Sequence, residues 1–166
     1  MAAPRASKRR APSAVAARMR ALARVVALAA LVLAAPAHAA CRQALALGLD
    51  VSGSVDMCAY RLQLGGLAGA LLDPEVQAAF LLYPETPGRL MVYEWSAQTH
   101  QRVVIGWRDI AGPADLLAVA QVLQGTRSVP VNNPSTAIGA AMAFGAAELQ
   151  TQADCWRMTL DISGDG

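Results

Sequence analysis

Lysine is missing after Lys8, acidic residues are missing from the first 39 positions, and histidine occurs only as His38 and His100. Each gap removes a class of function. A phosphotransferase of the haloacid dehalogenase type, with Asp50 as nucleophile on Mg²⁺, would want a second aspartate at position 52 and a lysine for the phosphate. Position 52 is serine, and the lysine is absent. A serine hydrolase is poorly served too, since neither Ser52 nor Ser163 stands in G-x-S-x-G and His100 is the one histidine past the leader. Aromatics are scarce at 5% of residues, which leaves Trp95, Trp107 and Trp156, in or beside β-rich runs, as packing residues before any binding platform. Repeats and low-complexity tracts are lacking as well.

The segment without acidic residues carries Arg5, Lys8, Arg9, Arg10, Arg18, Arg20 and Arg24, then the apolar run VVALAALVLAAPAHA ending in Ala37-His38-Ala39. A basic region, a short apolar core and an A-x-A site make a secretory signal peptide over residues 1–39, with cleavage after Ala39 and a secreted or periplasmic product. The run falls short of the ~20 apolar residues of a spanning helix, so no stable membrane span is expected after cleavage. Arg9-Arg10 lacks the apolar neighbours of a twin-arginine signal, and His38 sits where a lipoprotein signal for Cys41 would have an aliphatic residue.

Seven of the 14 basic residues lie in that leader, so the remainder holds seven against 12 acidic residues, a formal charge of about −5. The basic isoelectric point belongs to the leader, and no nucleic-acid partner is indicated. Residues 40–166 are long enough for one domain with a real core.

Within that domain, ALALGL (residues 44–49) is an apolar run of the kind found in strands buried on both faces. Residues 55–72 follow with Met57, Tyr60, Leu64, Leu67 and Leu71 at helical spacing, Gly65, Gly66 and Gly69 offering close packing on a sheet, and Asp73-Pro74 as terminator. A short helical piece covers 74–82. RLMVYEWS (89–96) and QRVVIGW (101–107) read as a hairpin, with His100 exposed in its turn. Helices are expected over 113–123 and 136–150, the latter capped by Ser135 or Thr136. CWRMTLDIS (155–163) is a last strand before Gly164-Asp165-Gly166. The pattern is α/β with a largely parallel sheet. Ligands of such sheets bind beyond the carboxyl ends of the strands, where Asp50 and the final turn both fall.

The chemistry concentrates in DVSGSV, where Asp50, Ser52 and Ser54 place oxygens on alternate residues at a strand tip. One reading is a hard-cation site, completed by a hydroxyl of Ser135 or Thr136 and a carboxylate of Asp165. All-oxygen donors match Mg²⁺ or Mn²⁺ and not zinc. The other reading is structural, with Ser52 and Ser54 capping the next helix and Asp50 bonded to backbone amides. Asp161 is a further acid near the last turn.

DVSGSV resembles the D-x-S-x-S signature of von Willebrand factor type A (VWA) domains with a metal-ion-dependent adhesion site (MIDAS). PSTAIGAAMAF is similar to the segment carrying the metal-site threonine, which maps to Thr136. LDISGDG is similar to the strand and T-D-G-type turn that supply an aspartate, which maps to Asp165. The run from about Ala44 to Gly166 also resembles an uncharacterised secreted bacterial subfamily of this fold, with EWS and SGDG as shared features. The resemblance implies a three-layer Rossmann-like fold, with a mostly parallel sheet, one antiparallel edge hairpin and helices on both faces. It implies no enzyme but a protein-binding domain. In it Asp50, Ser52, Ser54, Thr136 and Asp165 hold Mg²⁺ (or Mn²⁺), and a partner protein's Asp or Glu completes the coordination. The runners-up are the phosphoryl-transfer enzyme and a structural module with a vestigial site.

The family's sheet sets the strands that follow Cys41 and Cys155 side by side, which would bring the two cysteines to one sheet edge and make a bridge between them feasible. Cys58 is then left over. The resemblance also implies further strands and helices after Gly166. On that expectation residues 40–166 are an incomplete domain, with self-association through the exposed edge at residues 156–163, where Met158, Leu160 and Ile162 alternate.

Overall fold

The computed structural model describes residues 41–127 and 135–164. Four strands form one sheet: β1 (Cys41–Asp50), β2 (Gly88–Trp95), β3 (Gln101–Ile110) and β4 (Cys155–Ser163). Their order is β3-β2-β1-β4. β1 runs parallel to both β2 and β4, and only the β2–β3 hairpin is antiparallel. The helices are α1 (Met57–Leu72), α2 (Pro74–Phe80), α3 (Pro113–Gly125) and α4 (Ile138–Gln150). Among the described residues no helix is long and apolar enough to cross a membrane.

β1 is central because it is apolar on both faces. Leu49 joins Leu90 and Val92 of β2 in a core closed by α1 and α3. Ala44 and Ala46 join Met91, Tyr93 and Trp95 in a second core closed by Ala141 and Leu149 of α4. The fold is therefore α/β, as the element order implied, and in three layers, as the resemblance implied. α4 comes so close to the sheet that a Cβ at Gly145 would collide with Leu160 and stand 2.7 Å from the Tyr93 hydroxyl. That hydroxyl donates to the Ala141 carbonyl at 2.7 Å. Burial pushes the Tyr93 phenol up to about 12.

Cys41 and Cys155 are register partners on β1 and β4 and are joined by a disulfide with a Cα–Cα distance of 4.3 Å. Cys58 is free and exposed. The expected bridge and leftover thiol are both present.

Several local expectations need correction. The inner face of α1 is Tyr60, Leu64, Ala68 and Leu71, while Met57 is 53% exposed. Gly65, Gly66 and Gly69 lie on the outer side, where an added Cβ would touch nothing within 4 Å. They do not pack on the sheet, because Ala68 fills the close-approach position instead. α4 begins at Ile138 after Ala137 and has no side-chain cap from Ser135 or Thr136. The reason is tertiary: this segment is bonded to the end of β2. His100 is half-buried, its peptide closing the hairpin turn through bonds with Ser96 and Ala97. Trp95 is fully buried as expected, whereas Trp156 is 70% exposed on β4.

Candidate functional site

The carboxyl ends of β1, β2 and β4 define the edge where the candidate oxygens gather. Asp50 is the last residue of β1 and pairs with Trp95, the last residue of β2. The Val51 amide donates to the Trp95 carbonyl at 2.9 Å, which carries the pairing one step past the strands. The chain then turns sharply, with the Val55 amide donating to the Ser52 carbonyl at 3.0 Å. This turn sets the Ser52 and Ser54 hydroxyl oxygens 3.3 Å apart.

Asp50 is 1% exposed and Ser52 2% exposed, so both are committed to the interior. Asp50 Oδ1 accepts from the Ser52 amide at 2.7 Å. Oδ2 is buried and has no hydrogen-bond partner among the described residues. Buried carboxylate oxygens are normally paired, because an unpaired one forfeits its hydration with nothing in return.

Capping does not account for this geometry. α1 is capped by Asp56, whose carboxylate accepts from the Ala59 amide at 2.8 Å. Ser52 and Ser54 are thus released from the capping role, and one oxygen of Asp50 is released from backbone bonding.

Two further loops reach the same edge. The Ser96 hydroxyl donates to the Ser135 carbonyl at 3.0 Å, and the Ala137 amide donates to the Ser96 carbonyl at 2.8 Å. Thr136 is therefore fastened from both sides to the residue that follows Asp50's strand partner, and it is exposed. From β4, Ser163 pairs with Leu49, donates to the Gly48 carbonyl at 3.3 Å and accepts from Gln63 of α1 at 2.9 Å. A Cβ at Gly164 would stand 3.3 Å from Asp50 Oδ2 and 3.4 Å from the Trp95 ring, so the backbone leaving β4 passes directly over the unpaired oxygen. Asp165 lies outside the described residues. Asp161 is exposed, four residues back from that turn.

Among the described residues no three His, Cys, Asp or Glu side chains cluster as metal ligands. What this strand end and the turn after it offer is one unpartnered carboxylate oxygen among the described residues, and two hydroxyls 3.3 Å from each other. That donor set suits a hard, oxygen-seeking cation and is poor for zinc.

Behind the site stands a charged group that the sequence reading passed over. Glu94, one residue before Trp95, is 2% exposed. Its Oε2 accepts from Arg102 Nε at 2.9 Å and Nη2 at 2.7 Å, and its Oε1 accepts from the Tyr60 hydroxyl. Burial, then the bond to Glu94, pushes the Tyr60 phenol well above its ordinary value. This network joins α1, β2 and β3, and Glu94 pairs with Leu49, the residue before Asp50. Its setting follows from the folded sheet: Glu94 shares strand parity with Leu90 and Val92, and Arg102 is its cross-strand partner.

Residues 40–166 match the family described as "Protein of unknown function (DUF1194)", and the chain belongs to that family. No curated protein matches. Among solved structures, the chain is similar to proximal thread matrix protein 1 (PTMP1) from the mussel byssus, whose structure has a zinc-occupied MIDAS motif. The two are 16% identical with a TM-score of 0.47, and the alignment covers 76% of this chain but only 30% of that one.

Proposed function

We propose that this member of the family is an exported, VWA-like binding domain whose cation site recruits an acidic group of a partner protein. The observation that carries the proposal is Asp50 Oδ2 at the end of β1, buried and without a hydrogen-bond partner among the described residues, followed by a turn that clusters two serine hydroxyls. A divalent cation is the natural partner for that oxygen. Asp50, Ser52 and Ser54 would hold it, with Thr136 and Asp165 as the remaining ligands expected from the sequence. Mg²⁺ or Mn²⁺ suits these donors.

The proposed chemistry is recognition without turnover. Neutral hydroxyls and few carboxylates leave the ion's charge incompletely neutralised, so a carboxylate from outside gains by joining the shell. The chain's residues bind and orient; the ion supplies Lewis acidity toward the incoming carboxylate.

Isothermal calorimetry with Mg²⁺ and Mn²⁺ on the protein and on Asp50→Ala tests the reading. Binding heat is expected for the first and none for the second. Equal heats, or none for either ion with the unsubstituted protein, would sink it.

A further inference from the structure

A cavity of about 770 Å³ opens between α1 and the end of α3. Its walls include Met57, Tyr60 and Arg61 from α1, and Gln124, Thr126 and Arg127 from the end of α3 and the chain beyond it. Among the described residues no Asp or Glu lines it. Arg61 and Arg127 are exposed, and neither makes an ion pair among the described residues. Arg89 is paired with Asp109 and Asp154, and Arg102 with Glu94, whereas Arg108 and Arg157 are exposed and in no ion pair among the described residues, but do not line this cavity.

The wall is positive in its own right. Glu94 lies behind Tyr60, but its charge is taken up by Arg102, whose Nη2 also donates to the Arg127 carbonyl at 3.4 Å. Arg61 and Arg127 are left without an ion pair among the described residues, in a domain whose formal charge is about −5. Planar guanidiniums that fork onto carboxylates suit an acidic peptide better than any neutral ligand.

The cavity also sits beside the proposed cation site. Met57, at its lip, is three residues from Ser54, so the chain between their Cα atoms spans at most ~11 Å. We propose that this cleft receives a second acidic side chain of the same partner segment, three or four residues from the one that reaches the cation. The cleft would then select doubly acidic segments over singly acidic ones. The inference rests on the cation reading only for the position of the first acid.

The probe is fluorescein-labelled hexaglutamate, followed by anisotropy at low salt, with Mg²⁺ or with EDTA. Arg61→Gln/Arg127→Gln is expected to weaken binding about tenfold in both buffers, while leaving the Mg²⁺ binding heat unchanged. Arg108→Gln/Arg157→Gln removes the same charge from exposed sites elsewhere and is expected to leave the affinity as it was. The cleft is refuted if the two double variants bind alike, or if hexaglutamate shows no arginine-dependent binding in EDTA. Failure of the cation reading would appear separately, as absence of Mg²⁺ heat with arginine-dependent binding retained.

Discussion

Replacing Asp50 by asparagine separates the cost of the unpaired oxygen from its use. The carboxamide is nearly isosteric and can keep the acceptor that meets the Ser52 amide at 2.7 Å. What it removes is a buried anionic oxygen with no partner among the described residues. Such an acceptor costs about 1–3 kcal/mol, and more when charged. The new amide protons return part of that, since the nearby Ser52 carbonyl already accepts from Val55. The net expectation without metal is a gain of about 1–2 kcal/mol. For a domain of this size that raises Tm by roughly 5 °C.

With metal the ranking should invert. A cation at a hundred times its Kd stabilises the unsubstituted protein by about 2.7 kcal/mol, and Asp50→Asn forgoes that. Thermal unfolding followed by circular dichroism, in EDTA and in excess Mg²⁺ or Mn²⁺, reads both effects. Asp50→Asn should melt above the parent protein in chelator and below it in metal. If it melts at or below the parent in EDTA, the unpaired oxygen is no liability and the energetic argument is wrong. If neither ion reverses the order, the site does not hold one.

Other consequences can be measured on the same protein. Reduction of Cys41–Cys155, which closes a loop of 114 residues, should cost up to ~4–5 kcal/mol, and a non-reducing peptide map should show this bridge with Cys58 alone alkylatable. Arg102→Met strands the buried Glu94 carboxylate and should cost about 2–3 kcal/mol, discounted because Arg102 is 34% exposed; adding Glu94→Gln should recover much of the loss in urea unfolding. Gly145→Ala forces a methyl against Leu160 and Tyr93 and should cost at least ~2 kcal/mol, read as a lower urea midpoint. The Tyr93 phenol titrates near 10 unfolded and about 12 folded, so its contribution is full below pH 10 and lost as pH climbs to 12 and beyond; Tyr93→Phe should flatten that alkaline fall.

The parts of the fold legible in the sequence are those where one signal had no competitor. β4 was bounded by Cys155 and Ser163 because a turn composition lies on either side of an alternating run, and the structure keeps those bounds. β1 runs on from Ala44–Leu49 to Cys41–Asp50, since pairing with both β2 and β4 extends a ladder past what apolar character alone marks. The cysteine pairing followed from the family's strand order, because parallel neighbours align their amino ends. α1 was misread for the opposite reason: leucines, alanines and glycines surround it on every side, so the 3.6-residue period had little contrast and the glycines could be assigned to either face.

The candidate site divides along the same line. Asp50 was identifiable because a carboxylate closing an apolar strand has few explanations, and the Asp56 cap on α1 then removes the dullest one. Ser135 or Thr136 was mistaken for a helix cap because capping is a local rule, whereas Ser96 holds Ser135 and Ala137 through bonds spanning about 40 residues. Glu94 was hidden because its compensation is tertiary: an acid in VYEWS is an ordinary surface residue until Tyr60 from α1 and Arg102 from β3 are placed around it. Local rules thus found the carboxylate whose Oδ2 has no hydrogen-bond partner among the described residues and missed the one that has three donor atoms around it. A deficit leaves its mark at one position, but a satisfied charge can be seen only once the chain is folded.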